Sequence, residues 1–170
     1  IASTQNNGNS VNASLILICI PPLAIGKTTS VSTVYKPAII PALANFLGYY
    51  LRYLSDNVHI VTASGAGEMF EQIVGVNSQD AVIAFSFPRY STTTVKGAQY
   101  CASAGATVVG LTDSAASPLA QVCDHVLLAK SDMLSMVDSL VAPLSVVNAL
   151  IVAVSARRSA ELSHRLDALE

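Results

Sequence analysis

The stretch AFSFPRYSTTT, residues 84–94, sets Arg89 behind Pro88 and ahead of five hydroxyl-bearing side chains, directly after an uncharged run. A guanidinium is a planar, permanently charged fork that matches a phosphate or a carboxylate. If Ser91 opens a helix, its hydroxyl and the neighbouring backbone N–H groups face an anion, and the helix terminus adds partial positive charge. Tyr90 offers a flat apolar face with a hydroxyl, a surface against which a sugar ring can lie. Each residue also has a plainer reading. Arg89 can pair with Asp113 or with a partner subunit, Ser91 caps its helix with or without a ligand, and Tyr90 can be interface packing. Thr112, Asp113 and Ser117 can line the same rim, or serve only the turn and the cap before Pro118.

These residues act together only if the chain brings them to one edge. Ala13–Ile20, ASLILICI, is a continuous apolar run stopped by Pro21 and Pro22, and it predicts the first strand. A loop of about fifteen residues follows, long for a compact fold. From Pro37 or Pro41 to Leu54, apolar residues recur three and four apart (Leu43, Phe46, Leu47, Tyr50, Leu51, Leu54), which predicts a helix. Asn57–Ala63, Asp80–Ser86, Ala106–Thr112 and Asp124–Ala129 predict four more strands. Between them, Gly67–Val74 predicts a short helix, and Ser91 caps another that runs to about Ala104 and ends at Gly105. Ser117 and Pro118 predict one or two helical turns. The last helix is expected to start near Ser131 or Asp132 and to run past Ala156.

Apolar strands that do not alternate, each followed by a helix, predict a parallel sheet covered on both faces: an α/β three-layer sandwich of five strands in the flavodoxin-like order 2-1-3-4-5. Ligands of such sheets sit beyond the carboxyl ends of the strands where the winding reverses, between the first and third strands, and the segment leaving Ser86 falls there. Residues 1–12 read as a disordered tail or linker, residues 13–156 as one domain, and residues 157–170 as a polar helical extension.

Composition narrows the function classes. For 170 residues, area scaling gives a folded surface of roughly 8,000 Å² against roughly 26,000 Å² unfolded, enough for a core without metal or disulfide. Nine Lys and Arg oppose eleven Asp and Glu, and no basic cluster exceeds Arg157–Arg158, which argues against direct nucleic-acid binding. Hydrophobic residues make up 52 % and charged residues 12 %, which raises the question of a membrane. The eighteen uncharged residues 139–156 contain Pro143, Asn148 and three serines, and a buried helix is the expected reading. No cationic leader opens the chain, so secretion has no support and a cytoplasmic setting is expected. Cys19, Cys101 and Cys123 are odd in number and widely spaced, as core thiols in a reducing compartment would be.

Catalytic and cofactor signals are weak. His59 is expected in the core of its strand, His125 is expected to be structural, and His164 lies in the polar tail. No histidine pair has metal-ligand spacing, so no metal or cofactor is expected. Pro21 and Pro22 stand where a dinucleotide fingerprint would need glycines, and no Gly-x-Ser-x-Gly is present. Gly26-Lys27-Thr28 lacks the upstream glycine of a phosphate-binding loop. ASGAG at residues 63–67 is too slight to carry a site.

FPRYS, GLTDS and SPLAQVCDHVLL together resemble the sugar isomerase (SIS) domain of the RpiR/MurR family of bacterial transcription regulators. DSLVAPLSVVNALIVAV continues the likeness, which is good over residues 58–154 and poor over 13–57. The resemblance implies a dimeric domain that senses a phosphosugar or related acidic metabolite and alters DNA binding by a separate helix-turn-helix domain. It implies that Ser86 and Ser91 hold phosphate, with Arg89 standing where many relatives have glycine and Pro88 where many have a second serine. Thr112 joins Arg89, Tyr90, Ser86 and Ser91 as a candidate ligand residue. By the same likeness the hydroxyl expected after the first strand falls near Pro41 and is lost, with Thr28, Thr29 or Ser30 as possible replacements. The expected function is noncatalytic phosphosugar sensing. The alternatives are an aldose-ketose isomerase, with Asp113 (or less convincingly Glu68 or Glu71) as the base, and a purely structural dimerisation domain.

Overall fold

The computed structural model describes residues 15–19, 39–55, 57–62, 66–131, 139–159, 162, 163 and 165. The elements are β1 (Leu15–Cys19), α1 (Ile39–Leu51), β2 (Val58–Thr62), α2 (Ala66–Ile73), β3 (Ala81–Phe85), α3 (Thr92–Ser103), β4 (Thr107–Thr112), β5 (His125–Leu128) and α4 (Val141–Arg157). The five strands pair in parallel in the order β2-β1-β3-β4-β5. Parallel neighbours cannot be joined by a tight turn, so the chain must cross the sheet between them. The expected α/β class, with helices over a parallel sheet, is what the chain adopts.

Period-two alternation along the strands sorts their side chains between two apolar layers. Val82 and Ala84 of β3 and Val108 of β4 point to one face, where they meet Met69 and Ile73 of α2 and Ala98 and Cys101 of α3. Ile83, Phe85 and Phe87, together with Leu111, point to the other and meet Leu43, Leu47 and Leu51 of α1 and Val147 of α4. Burial on both faces explains why β3 reads AVIAF without a polar residue.

Local chemistry sets the ends of the elements. Ser91 caps α3 by accepting the Thr94 N–H at 3.3 Å. Gly105 follows at φ 89°, a left-handed turn that glycine takes without steric penalty. α4 begins at Val141 behind Leu140, later than the expected Ser131 or Asp132; residues 132–138 lie outside the described set. Pro143 then falls in the first turn, where its missing N–H is not needed, whereas in a helix begun at Ser131 it would break the interior.

Two other expectations need correction. Residues 117–123 form turns and no helix: Ser117 Oγ accepts from Ala120 N–H at 3.2 Å, and Val122 N–H donates to the Leu119 carbonyl at 3.1 Å. So short a segment gains too few i to i−4 bonds to offset helix nucleation. His59, expected in the core, is exposed, as is His125. Both lie on the edge strands β2 and β5, which have a neighbour on one flank only.

Burial pushes the Cys101 thiol up to about 11, and burial with Asp124 nearby does the same for Cys123, so at neutral pH both are packing groups with little thiolate. Cys123 sits against the one strand glycine of β4. A Cβ on Gly110 would lie 2.7 Å from Cys123 Sγ and 3.3 Å from Leu119 Cγ. Gly110→Ala is therefore expected to cost about 1–3 kcal/mol by overpacking. In thermal denaturation that is a fall of roughly 2–12 °C. Gly75→Ala, where nothing lies within 4 Å of the added carbon, is the matched control.

Candidate functional site

The sheet winds outward in both directions from β1 and β3, so the crevice between their carboxyl ends is the point where the winding reverses. Ser86 is the first residue beyond β3 at that edge. Its N–H donates to the Leu111 carbonyl at 3.1 Å, which keeps it in line with β4. Alternation from Val82 and Ala84 turns its side chain to the α2/α3 face. Thr112, one step beyond the Phe85–Leu111 pair, lies alongside on the same face. Both are buried at the sheet edge, Ser86 to 1 % exposure.

The Ser86 Oγ has no hydrogen-bond partner among the described residues. A buried hydroxyl without a partner costs roughly 1–3 kcal/mol, so it calls for an explanation. The chain then passes through Phe87, whose ring is buried against the opposite face, and turns outward at Pro88 and Arg89. It returns at Ser91 to start α3 on the same side as the Ser86 hydroxyl. The first N–H groups of any helix lack intrahelical acceptors. Ser91 satisfies the Thr94 N–H through a lone pair, which leaves its own hydroxyl proton free to donate.

Arg89 is exposed and sits at φ 70°, the only non-glycine among the described residues with positive φ. The left-handed region crowds Cβ against the backbone and costs roughly 1–2 kcal/mol for such a residue. A left-handed turn calls for glycine, and this chain has an arginine there.

Tyr90 does not lie loose beside a ligand space. Its hydroxyl donates to the Asp113 carboxylate, 2.9 Å from Oδ1 and 3.2 Å from Oδ2. Burial, then the Asp113 hydrogen bond, holds the phenol above its ordinary range. Thr112 Oγ1 donates to the same carboxylate at 3.2 Å. The loops after β3 and β4 are thus tied together by one acceptor. Sequence reasoning had Asp113 as a rim residue, as an alternative partner for Arg89 and as a candidate base; nothing in the sequence couples it to a tyrosine 23 positions earlier.

The structure thus brings Ser86, Ser91, Thr112 and, through Asp113, Tyr90 to one edge, with Arg89 at the tip of the connecting turn. Thr28, Thr29 and Ser30 lie outside the described residues. The first turn of α1 contributes Ile39, Ile40 and Pro41, none of which has a hydroxyl. Among the described residues, no group of three or more His, Cys, Asp or Glu could hold a metal ion, and no helix is long and apolar enough to cross a membrane.

The sugar isomerase domain of an RpiR transcription factor from Sphaerobacter thermophilus superposes with TM-score 0.74 at 25 % identity, covering 93 % of this chain and 79 % of that one. The Vibrio vulnificus NanR protein complexed with ManNAc-6P superposes with TM-score 0.64 at 17 % identity, covering 93 % of this chain and 56 % of that one. The c3406 protein of E. coli CFT073, in complex with a phosphosugar, gives TM-score 0.63 at 18 % identity, covering 91 % of this chain and 77 % of that one. No curated protein matches the sequence. The SIS domain model matches residues 41–153, which take in most of α1 through most of α4 and include Ser86, Arg89, Tyr90, Ser91, Thr112 and Asp113, and the chain belongs to the SIS domain family.

Proposed function

We propose that this domain is the noncatalytic effector-sensing part of a transcription regulator and that its ligand is a phosphosugar or a related acidic carbohydrate derivative. One observation carries the reading: a buried Ser86 hydroxyl with no partner among the described residues, at the carboxyl edge of the sheet, beside a helix that starts at Ser91. A phosphate supplies what that arrangement lacks. Ser86 and Ser91 donate to its oxygens, the α3 terminus and Arg89 offset its charge, and Thr112 completes the wall. Two proteins of this fold are known with a phosphosugar bound, ManNAc-6P in the case of NanR, which supports the ligand class.

An isomerase needs a base beside the carbons between which the proton moves. Asp113 directly follows β4, and the hydrogen bonds it accepts from Tyr90 and Thr112 fix its orientation, as suits an acceptor that recognises a ligand; Glu68 and Glu71 are exposed on α2. This favours sensing over turnover. Turnover of any phosphosugar that Asp113→Ala abolishes would reverse that preference.

Self-association belongs to the same reading. On α4, Val141, Ser145, Asn148 and Val152 form an exposed stripe free of charge, with Val141 75 % and Val152 67 % exposed. Tyr49 and Tyr50 of the neighbouring α1 are exposed as well. A helix apolar all round belongs in an interior, so a second copy is the proposed cover, and a sensor of this kind would transmit ligand binding as a change in dimer geometry. The chain covers 79 % of the RpiR domain and 56 % of NanR, and the DNA-binding part is proposed to lie in a longer parent.

Three expectations test this. In calorimetric titration with hexose and amino-sugar phosphates, Arg89→Ala loses about 2 kcal/mol of affinity, roughly thirtyfold. Equal binding by both proteins rejects the assignment. Ser86→Ala and Arg89→Gly each remove a local cost from the free domain, so each should hold or raise unliganded stability by up to about 1 kcal/mol while weakening the ligand. A purely structural role predicts no ligand response and, for Ser86→Ala, no such opposition. In sedimentation velocity the wild type runs as a dimer and Val152→Glu shifts it toward monomer; a monomeric wild type at high concentration removes the α4 interface.

A further inference from the structure

An anion site with a carboxylate at its wall cannot accept every anion. Asp113 follows Thr112 at the end of β4, and the Tyr90 hydroxyl holds its carboxylate against the loop that carries Arg89 and Ser91. An ionised carboxylate has about four acceptor positions. Tyr90 shares one proton between the two oxygens and Thr112 supplies a second, and the side chain remains half-buried rather than sealed. About two acceptor positions are left, in an orientation that two neighbouring groups enforce.

Building on the phosphosugar reading, we propose that Asp113 is the specificity residue for the carbohydrate part of the ligand. It accepts from a hydroxyl or ammonium group of the sugar while Ser86, Ser91 and Arg89 hold the phosphate. Tyr90 is its positioning residue, and Thr112 donates to Oδ1 beside it. A ligand that presents a hydrogen-bond donor to Asp113 fills the open acceptor positions with charge-assisted bonds. A ligand that presents a second anion there meets like charge in a partly desolvated site. Inorganic phosphate satisfies the anion end and gains nothing from Asp113. The domain therefore selects neutral and amino-sugar phosphates over phosphorylated sugar acids.

The test is a calorimetric panel of glucose 6-phosphate, glucosamine 6-phosphate, 6-phosphogluconate and inorganic phosphate against wild type, Asp113→Asn, Tyr90→Phe and Ser86→Ala. Wild type should bind the first two at least tenfold more tightly than 6-phosphogluconate. Asp113→Asn, of the same size without the charge, should cut that ratio at least fivefold, mainly by admitting the sugar acid. Tyr90→Phe keeps the charge but frees it, so it should weaken glucose 6-phosphate several-fold and still reject the acid; it also serves as the second variant if Asp113→Asn fails to fold. If Ser86→Ala weakens all four ligands alike while Asp113→Asn and Tyr90→Phe leave every ratio unchanged, the phosphate site stands and the role of Asp113 is overturned. If wild type binds none of the four, or Ser86→Ala changes none of them, the phosphate site falls and this inference with it.

Discussion

A parallel sheet brings the carboxyl ends of all its strands to one edge, and everything functional about this domain depends on what that edge does with its polar groups. Between paired strands the backbone donors and acceptors meet neighbours, and both faces carry apolar helices. At the edge the ladder stops while the side-chain alternation continues for a residue or two. Ser86 and Thr112 are therefore delivered side by side to the α2/α3 face, in positions too buried for water to solvate freely. Polar groups in that situation need partners. Thr112 finds one in Asp113, and Ser86 has none among the described residues.

Two local costs are gathered within four residues of each other. The unpartnered Ser86 hydroxyl is one, and the left-handed backbone at Arg89 is the other. Neither helps the fold: alanine at the first position and glycine at the second would serve stability as well or better. Their coincidence at the point where an α/β sheet reverses its winding is what pre-organisation of the proposed ligand site requires, with strain and desolvation borne by the free domain. Tyr90 is held in place by Asp113, so the turn is braced from the β4 side.

The opposite layer has a different constraint. α1 and α4 cover one face of the sheet and touch each other, burying Val147, Leu43, Leu47 and Leu51. α4 carries apolar or small residues around nearly its whole circumference, and one helix cannot bury all of that against one sheet. The uncharged run 139–156 reads in sequence as a buried helix, and the exposure of Val141 and Val152 shows which part of it this chain leaves uncovered. The Ser86–Ser91 edge faces the α2/α3 layer, and the exposed α4 stripe belongs to the α1/α4 layer on the other side of the strands.

Local signals were enough for the elements, because strand and helix each impose a period and their ends are marked by side chains that act within three or four residues. The strands at residues 81–85 and 107–112, the Ser91 cap and the Gly105 stop were all legible for that reason. The start of α4 was also latent in the sequence, in Pro143, but hydropathy without the proline rule put it too early. What no window could reveal were facts about distance. His59 reads as core in a strand, and only the sheet order makes that strand an edge. Tyr90 and Asp113 are ordinary residues in separate loops, and only the parallel pairing of β3 with β4 brings the phenol to the carboxylate. Residue types and spacing determined that a turn carrying an arginine and several hydroxyls leaves the third strand. The tertiary structure decided which hydroxyl there is spent on the protein and which is left to donate, because hydrogen-bond capacity is settled between neighbours in space and not along the chain.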